Sequence, residues 1–304
     1  MAASVVRVSV LRLGLDLFVD ETAMVRAMAA RLQTLAADGA RLCVFPGLYG
    51  LGLAGPWPPD IPWGRIVRAT AGLGEAFVAV AARAARSAHV YLVPGSILLP
   101  AGGDAFVEWS GVFDPGGQLL GEQLATQPNA AQPELSPDSR LAPIDTPFGA
   151  VGLLLGADAD VPDVARILTL AGARLLIAPR APRAPYSSMQ AMAGLWQMVQ
   201  QNQVFGLESG LVGQAAGHAR DGKAGVFAPG ELTPGRSGFL GRPGFYVGDG
   251  ALTADLDFAQ LDELRRRQPL ARHLNAALYR RHADAFGVFR PALRSDGGGR
   301  DADG

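Results

Sequence analysis

The 304-residue sequence predicts an α/β protein built as a four-layer α-β-β-α sandwich in a single domain, and three observations carry that reading. Strand and helix patterns arrive in two groups. A hairpin between them breaks strict strand-helix alternation. The composition, 49% hydrophobic and 18% charged, supplies a sizeable core, and no internal linker or repeat divides the chain. Residues 1–290 are expected to form the domain, and residues 291–304, Gly- and Asp-rich from 295 on, a disordered tail.

The elements follow in order. Val5 to Val10 alternates like a half-buried strand, and residues 20–37 place Met24, Met28, Leu32 and Leu35 at helical spacing. A strand over Arg41 to Phe45 stops at Pro46-Gly47, and the Pro/Gly/Trp-rich stretch Gly50 to Gly64 reads as a long irregular loop. Residues 66–87 read as one Ala-rich helix and His89 to Ile97 as a strand. Phe106–Phe113 and Gln118–Gln123 flank the turn Asp114-Pro115-Gly116-Gly117 as a hairpin. Residues 125–143 are a polar loop and Gly149 to Leu155 an apolar strand. Asp160-Val161-Pro162-Asp163 then opens a helix, with Asp160 as the expected N-cap. Arg174–Ala178 is a buried strand, about 189–203 a helix, and Val204–Val212 a strand. A short hairpin over Lys223–Val247, a strand over Leu252–Leu256 and a helix over 258–267 complete the set.

Composition excludes several function classes. The 27 basic and 28 acidic residues leave a net charge of -1, which gives no footprint for nucleic acid, and Arg265-Arg266-Arg267 reads as a solvated helix face. No apolar run reaches the roughly 18 residues of a membrane span. Arg7, Arg12 and Asp16 interrupt the first 18 residues, against a signal peptide, so a cytoplasmic protein is expected. The one Cys, Cys43, rules out an internal disulfide or a multi-cysteine zinc site. The one Lys is Lys223. The four His (His89, His218, His273, His282) form no ligand spacing, so neither metal nor cofactor is expected.

Gly50-Leu51-Gly52-Leu53-Ala54-Gly55 matches G-x-G-x-x-G. However, Pro56, Pro58, Pro59 and Pro62 prevent the helix that would hold a pyrophosphate, and a flexible loop is the better account. Ser187 and Ser188 lack a G-x-S-x-G elbow. Strand ends carry more information, because side chains there project into a cleft. They read Cys43-Val44-Phe45-Pro46-Gly47, Gly121 to Thr126, and Gly152 to Asp158.

In these segments the chain resembles the nitrilase superfamily of carbon-nitrogen hydrolases, from end to end. Phe45-Pro46-Gly47 resembles the family's F-P-E, and Val112-Phe113-Asp114-Pro115-x-Gly117 its V-F-D-P-x-G hairpin. Gly121 to Gln127 stands where G-x-x-x-K-T-H would be. Asp145-Thr146-Pro147-Phe148-Gly149, Gly152 to Arg166, Asn202-Gln203-Val204-Phe205 and Leu256 to Arg265 are similar to later family segments. The resemblance implies a Glu general base, a Lys stabilising an oxyanion and a Cys nucleophile forming a thioester. At those positions stand Gly47, Ala125 and Gly156, and Gln201 replaces the Glu before the family's later Asn. Glycine offers neither base nor nucleophile, and alanine holds no oxyanion.

The remaining pocket candidates are Tyr49, Glu108, Asp158 and Glu208. Asp158 matches an acid of the family's C-x-D motif and reads best as a hydrogen-bonding support. Glu108 and Glu208, lying in strands, must reach the cleft or pair with an Arg. The expectation is a pseudoenzyme of this fold, a homodimer by the same resemblance, acting through a small-molecule ligand or a protein partner. The alternative is a carbon-nitrogen hydrolase with a rebuilt site around Asp158 or Glu208.

Overall fold

Val6, Val8 and Val10 turn to one side of the first strand and Leu11 and Leu13 to the other, and this alternation sets the layering. The computed structural model describes residues 4–55, 62–128, 135–215 and 218–282. Its first half comprises β1 (Val5–Gly14), α1 (Glu21–Ala37), β2 (Leu42–Val44), α2 (Trp63–Ala71), α3 (Gly74–Ala88), β3 (Tyr91–Val93), β4 (Ile97–Gly102), β5 (Ala105–Phe113) and β6 (Leu119–Leu124). Then follow β7 (Val151–Leu153), α4 (Pro162–Leu170), β8 (Leu175–Arg180), α5 (Ser188–Ala191), α6 (Gln197–Asn202) and β9 (Phe205–Ala215). The chain closes with β10 (His218–Asp221), β11 (Gly225–Phe227), β12 (Phe239–Leu240), β13 (Gly250–Asp257), α7 (Phe258–Arg267) and α8 (Ala276–Arg281).

One set of strands pairs as β13-β1-β2-β3-β5, with β4 and β6 both on β5. A second set pairs as β7-β8-β9-β11-β12, with β10 also on β9. The two sets join where Arg12–Gly14 runs parallel to Gly210–Val212, so one hydrogen-bonded network supplies both sheets.

Three apolar layers separate four structural ones. Val8, Val10, Leu42 and Val44 of the first set meet Leu153, Leu175, Ile177 and Leu207 of the second. The opposite faces take the helices: Leu11, Cys43 and Leu92 pack with Met24, Met28 and Leu32 of α1 and Phe77 and Val80 of α3. Leu176 and Ala178 pack with Val164 and Leu168 of α4 and Met198 and Val199 of α6. Each large apolar side chain so buried contributes about 1.5–3 kcal/mol. The expected α-β-β-α sandwich in one domain is the observed fold.

Four local expectations are corrected. The helix expected over 66–87 is two, α2 and α3, separated at Gly72 and Leu73, where the Leu73 N–H bonds to the Thr70 carbonyl at 2.9 Å. The strand expected over His89–Ile97 is split at Pro94 and Gly95, and His89 instead closes α3 with a left-handed backbone. Gly50–Ala54, read as part of a flexible loop, lies in a 3-10 turn over Tyr49–Ala54 whose Tyr49 to Gly52 are buried. Gly52 is needed there for close approach, since a Cβ would stand 2.5 Å from the Asp16 carbonyl oxygen. Asp160 does not cap α4: Val161 holds that position without a side-chain bond, and Pro162 opens the helix. The C-terminal tail lies outside the described residues. Among the described residues no helix is long and apolar enough to cross a membrane.

Candidate functional site

The ends of β2 and β8, the turn after β7, the middle of β5 and the edge strand β10 converge on one cavity of about 300 Å³. Its wall includes Leu48, Glu108, Gly156, Asp160, Pro179, Arg180, Arg183, Tyr186 and Arg220. The cavity arises because parallel strands stop together and their following loops diverge, which is where open α/β sheets leave room for ligands.

The three positions that the family resemblance singles out lie around this space. Gly47 is buried and its N–H donates to the Arg180 carbonyl at 3.3 Å. A Cβ added there would sit 2.8 Å from the Pro179 oxygen and 3.1 Å from the Arg180 carbonyl carbon, so backbone fills the direction a side chain would take. Gly156 has φ +54°, a left-handed conformation that costs other residues about 1–3 kcal/mol. A Cβ on Gly156 would stand 2.9 Å from Glu108 Oε2. Ala125 is buried, and its N–H donates to the Glu108 carbonyl at 2.8 Å.

Charged groups gather at the same space. Glu108 is buried, and Ser96 donates its hydroxyl to Glu108 Oε1 at 2.5 Å while accepting the Leu48 N–H at 2.6 Å. Burial pushes the Glu108 carboxyl up to about 7, with Asp158 adding to the rise and Ser96, Arg180 and Arg220 opposing it. Arg180 ends β8, where its Nη1 donates to the Gly156 carbonyl and its Nη2 to Asp160 Oδ1, each at 2.7 Å. Burial alone would lower the Arg180 guanidinium; Asp160, Tyr186 and Glu208 outweigh it and keep the group charged. Arg220 is buried, donates Nη1 to the Ala181 carbonyl at 2.6 Å and faces the Trp63 ring at 5.6 Å. Burial, then Arg183, pulls Arg220 down to about 10.

Of the four pocket candidates, Glu108 lies on the wall of this cavity and the other three do not. Tyr49 is a core residue instead: its ring packs against Phe45 and Phe18, and its hydroxyl donates to Asp16 at 3.3 Å. Asp158 is fully buried and saturated. Its Oδ1 accepts Thr126 N–H and Gln127 N–H at 2.9 Å and the Thr126 hydroxyl at 2.8 Å, and its Oδ2 accepts Leu155 N–H at 3.1 Å. Burial raises this carboxyl and those bonds oppose the rise, the pattern of a support that ties the turn after β7 to the loop after β6. Glu208, in β9, is buried with Oε1 unbonded, and burial pushes it up to about 8 against the pull of Arg180.

The remaining reactive types are spent on structure. Cys43 is buried in the first apolar layer, where burial pushes its thiol up to about 12, so it carries no thiolate near neutral pH. Lys223 donates to Asp221 at 2.8 Å. Ser187 caps α5 by accepting the Gln190 N–H at 3.2 Å. Among the described residues no group of three His, Cys, Asp or Glu is arranged for a metal ion.

Sequence reasoning missed Arg180, Arg183 and Arg220. A signal for Arg180 was available, since it ends the otherwise apolar run Leu175 to Pro179 at a parallel strand's carboxyl end. Arg220 had none, because its burial comes from a distant partner, Trp63.

Comparison with known proteins supplies a frame for this geometry. The model of the carbon-nitrogen hydrolase family matches residues 8–223. No curated protein matches the sequence. The crystal structure of a carbon-nitrogen hydrolase from Helicobacter pylori G27 superposes with a TM-score of 0.73 at 18% identity, covering 92% of this chain and 99% of that one. A double mutant of the amidase from Nesterenkonia sp. AN1, in complex with acrylamide, gives a TM-score of 0.71 at 20% identity, covering 92% and 98%. Another mutant of that amidase carries the acetamide moiety of fluoroacetamide on its active-site cysteine, with a TM-score of 0.67 at 20% identity, covering 88% and 97%.

Proposed function

The chain belongs to the carbon-nitrogen hydrolase family, and from that premise we propose that it no longer cleaves carbon-nitrogen bonds and acts as a pseudoenzyme through small-ligand binding. The observation that carries this reading is the space at Gly47 and Gly156. The direction a side chain would take from Gly47 is filled by the Pro179–Arg180 backbone, and at Gly156, with φ +54°, a Cβ would meet Glu108 Oε2 at 2.9 Å, the movable end of a side chain. The neighbouring amidase holds its adduct on a cysteine; here Gly156 stands at the nucleophile position of the family resemblance, and the one thiol is sealed in a core. Removing nucleophile and base from a cooperating set costs on the order of 10⁶ in rate. What persists is a cavity with convergent polar groups, the usual form of a ligand site.

The alternative, a hydrolase rebuilt on Asp158 or Glu208, asks for water activation by carboxyls that do not line the cavity. Asp158 has four hydrogen bonds to give up before it could take a proton. Purified protein should release no ammonia from a panel of amides, nitriles, ureas and N-carbamoyl compounds on which an active relative turns over. Asp158→Asn should alter stability and leave that background unchanged. Ammonia release lost on Asp158→Asn would establish the hydrolase instead.

A cytoplasmic, homodimeric form completes the proposal. Ile167 and Leu170 on α4 and Leu278 and Tyr279 on α8 stay 51–60% exposed, apolar surface that a second copy would cover. Light scattering should return about twice the 31.7 kDa chain mass. A monomer mass at every concentration would remove the dimer from the reading.

A further inference from the structure

We propose that the cavity binds a small organic monocarboxylate, gripped side-on by Nε and Nη2 of Arg220 once the guanidinium, whose two nitrogens are closed to water in this structure, turns into the cavity. The inference rests on the ligand-binding reading of the same cavity and gives it a chemical class.

Arg220 is 6% exposed and lines the cavity. Its Nη1 is committed to the Ala181 carbonyl, while Nε and Nη2 are buried with no hydrogen-bond partner. A guanidinium hidden from water with two N–H groups unmatched is costly, and such a group is a candidate for a missing partner. The two free nitrogens are the pair that forms one edge of the planar fork, the edge whose parallel N–H bonds match the two oxygens of a carboxylate. The same chain shows this grip elsewhere: Arg7 holds Asp255 through Nε at 2.8 Å and Nη2 at 2.9 Å. Among the described residues no carboxylate plays that part for Arg220. Among the described residues Arg220 enters no ion pair, and Arg183, its neighbour on the wall, enters none either.

The rest of the wall narrows the class. Three guanidinium groups (Arg180, Arg183, Arg220) face two carboxyls (Glu108, Asp160), and Asp160 is paired with Arg180. Because burial leaves Glu108 partly protonated near neutral pH, the excess is between one and two positive charges, which fits a carboxylate and, with two acids nearby, favours a monoanion over a dianion such as phosphate. Leu48, Pro179, Pro182 and Pro185 give the wall an apolar part, beside Tyr186 and Gln190, that suits a short hydrocarbon body. At about 300 Å³ the space takes on the order of ten water-sized groups, which limits the ligand to a compact acid.

Calorimetric titration of the full chain with acetate, butyrate, hexanoate and benzoate, against the matched carboxamides and inorganic phosphate, tests the inference. At least one carboxylate is expected to bind, and its carboxamide and phosphate to bind about tenfold more weakly or not at all. Arg220→Lys keeps the charge and removes the fork, so it should weaken carboxylate binding about tenfold or more while its melting curve certifies the fold. Arg220→Met should abolish binding. Equal binding of carboxamide and carboxylate, or binding unchanged in Arg220→Lys, would overturn the carboxylate assignment and leave the ligand-binding reading intact. Phosphate binding as tightly as the best acid would overturn it in favour of a general anion site. Silence across all four acids would overturn it too, while the ammonia assay continues to decide the pseudoenzyme reading separately.

Discussion

Gly47→Ala is expected to lower the melting temperature by about 2–6 °C, and Gly47→Glu by more, up to failure to fold. The cause is backbone, which yields less readily than a side chain. The added Cβ would lie 2.8 Å from the Pro179 oxygen and 3.1 Å from carbonyl carbons of Pro179 and Arg180. Overpacking of this kind costs about 1–3 kcal/mol before any rearrangement. Glutamate adds a buried carboxylate beside the Pro179 carbonyl oxygen, a further several kcal/mol unless it finds a cation. Exposed Gly72, whose Cβ would meet nothing within 4 Å, supplies the control: Gly72→Ala should melt within about 1 °C of wild type. A Gly47→Glu protein as stable as the parent would show that the wall yields and that the acid could be rebuilt.

The second large effect is a loss of stability as pH rises from weakly acidic to weakly basic. Burial raises the folded-state carboxyls of Glu108 to about 7 and Glu208 to about 8, against a reference of 4.5. The folded state therefore holds their protons more tightly than the unfolded chain. Their stabilising contribution is full below about pH 4.5 and is lost as pH rises through about 7 and about 8. The two together are worth on the order of a few kcal/mol between those limits. Asp158, also raised, acts in the same direction. His218, lowered by burial and then by Arg183 and Arg220, acts oppositely, but it is partly exposed and its effect is small. Urea denaturation at pH 6 and pH 9 should show the decline. Glu208→Gln, neutral at both, should flatten it and be the more stable protein at pH 9. An unchanged slope in that variant would mean that Glu208 ionises at its ordinary value, held by Arg180.

The fold was largely legible in the sequence because strand alternation and helical spacing are local signals. Val8-Val10, Met24-Met28-Leu32 and the paired runs at 151–155 and 174–178 each declared which face they bury. The breaks were less legible. Helix 66–87 reads as continuous because alanine favours helix throughout, and its interruption at Gly72 and Leu73 depends on how α3 packs on α1, a tertiary matter. The site divided in the same way. Gly47, Ala125 and Gly156 were singled out by motif order alone, and Asp158 as a support follows from its place in a turn. Tyr49 was misplaced because an aromatic after a strand end can turn to the cavity or the core with no change in pattern. Arg220 escaped because its meaning lies in what it fails to contact, and a missing partner leaves no trace in a linear sequence.

Packing against Gly47 also bears on how such a chain could change over generations. If the proposed pseudoenzyme reading holds, each of the three positions would have to be refilled before turnover could return. Filling Gly47 first strains a wall, filling Gly156 first places a side chain at φ +54° against Glu108, and neither step alone restores chemistry. The paths back that begin at Gly47 or Gly156 therefore start downhill in stability with nothing gained in rate. On the proposed pseudoenzyme reading, a backbone closed over Gly47 would work as a ratchet: drift could carry the protein further from hydrolysis, while a return would meet strain at its first step.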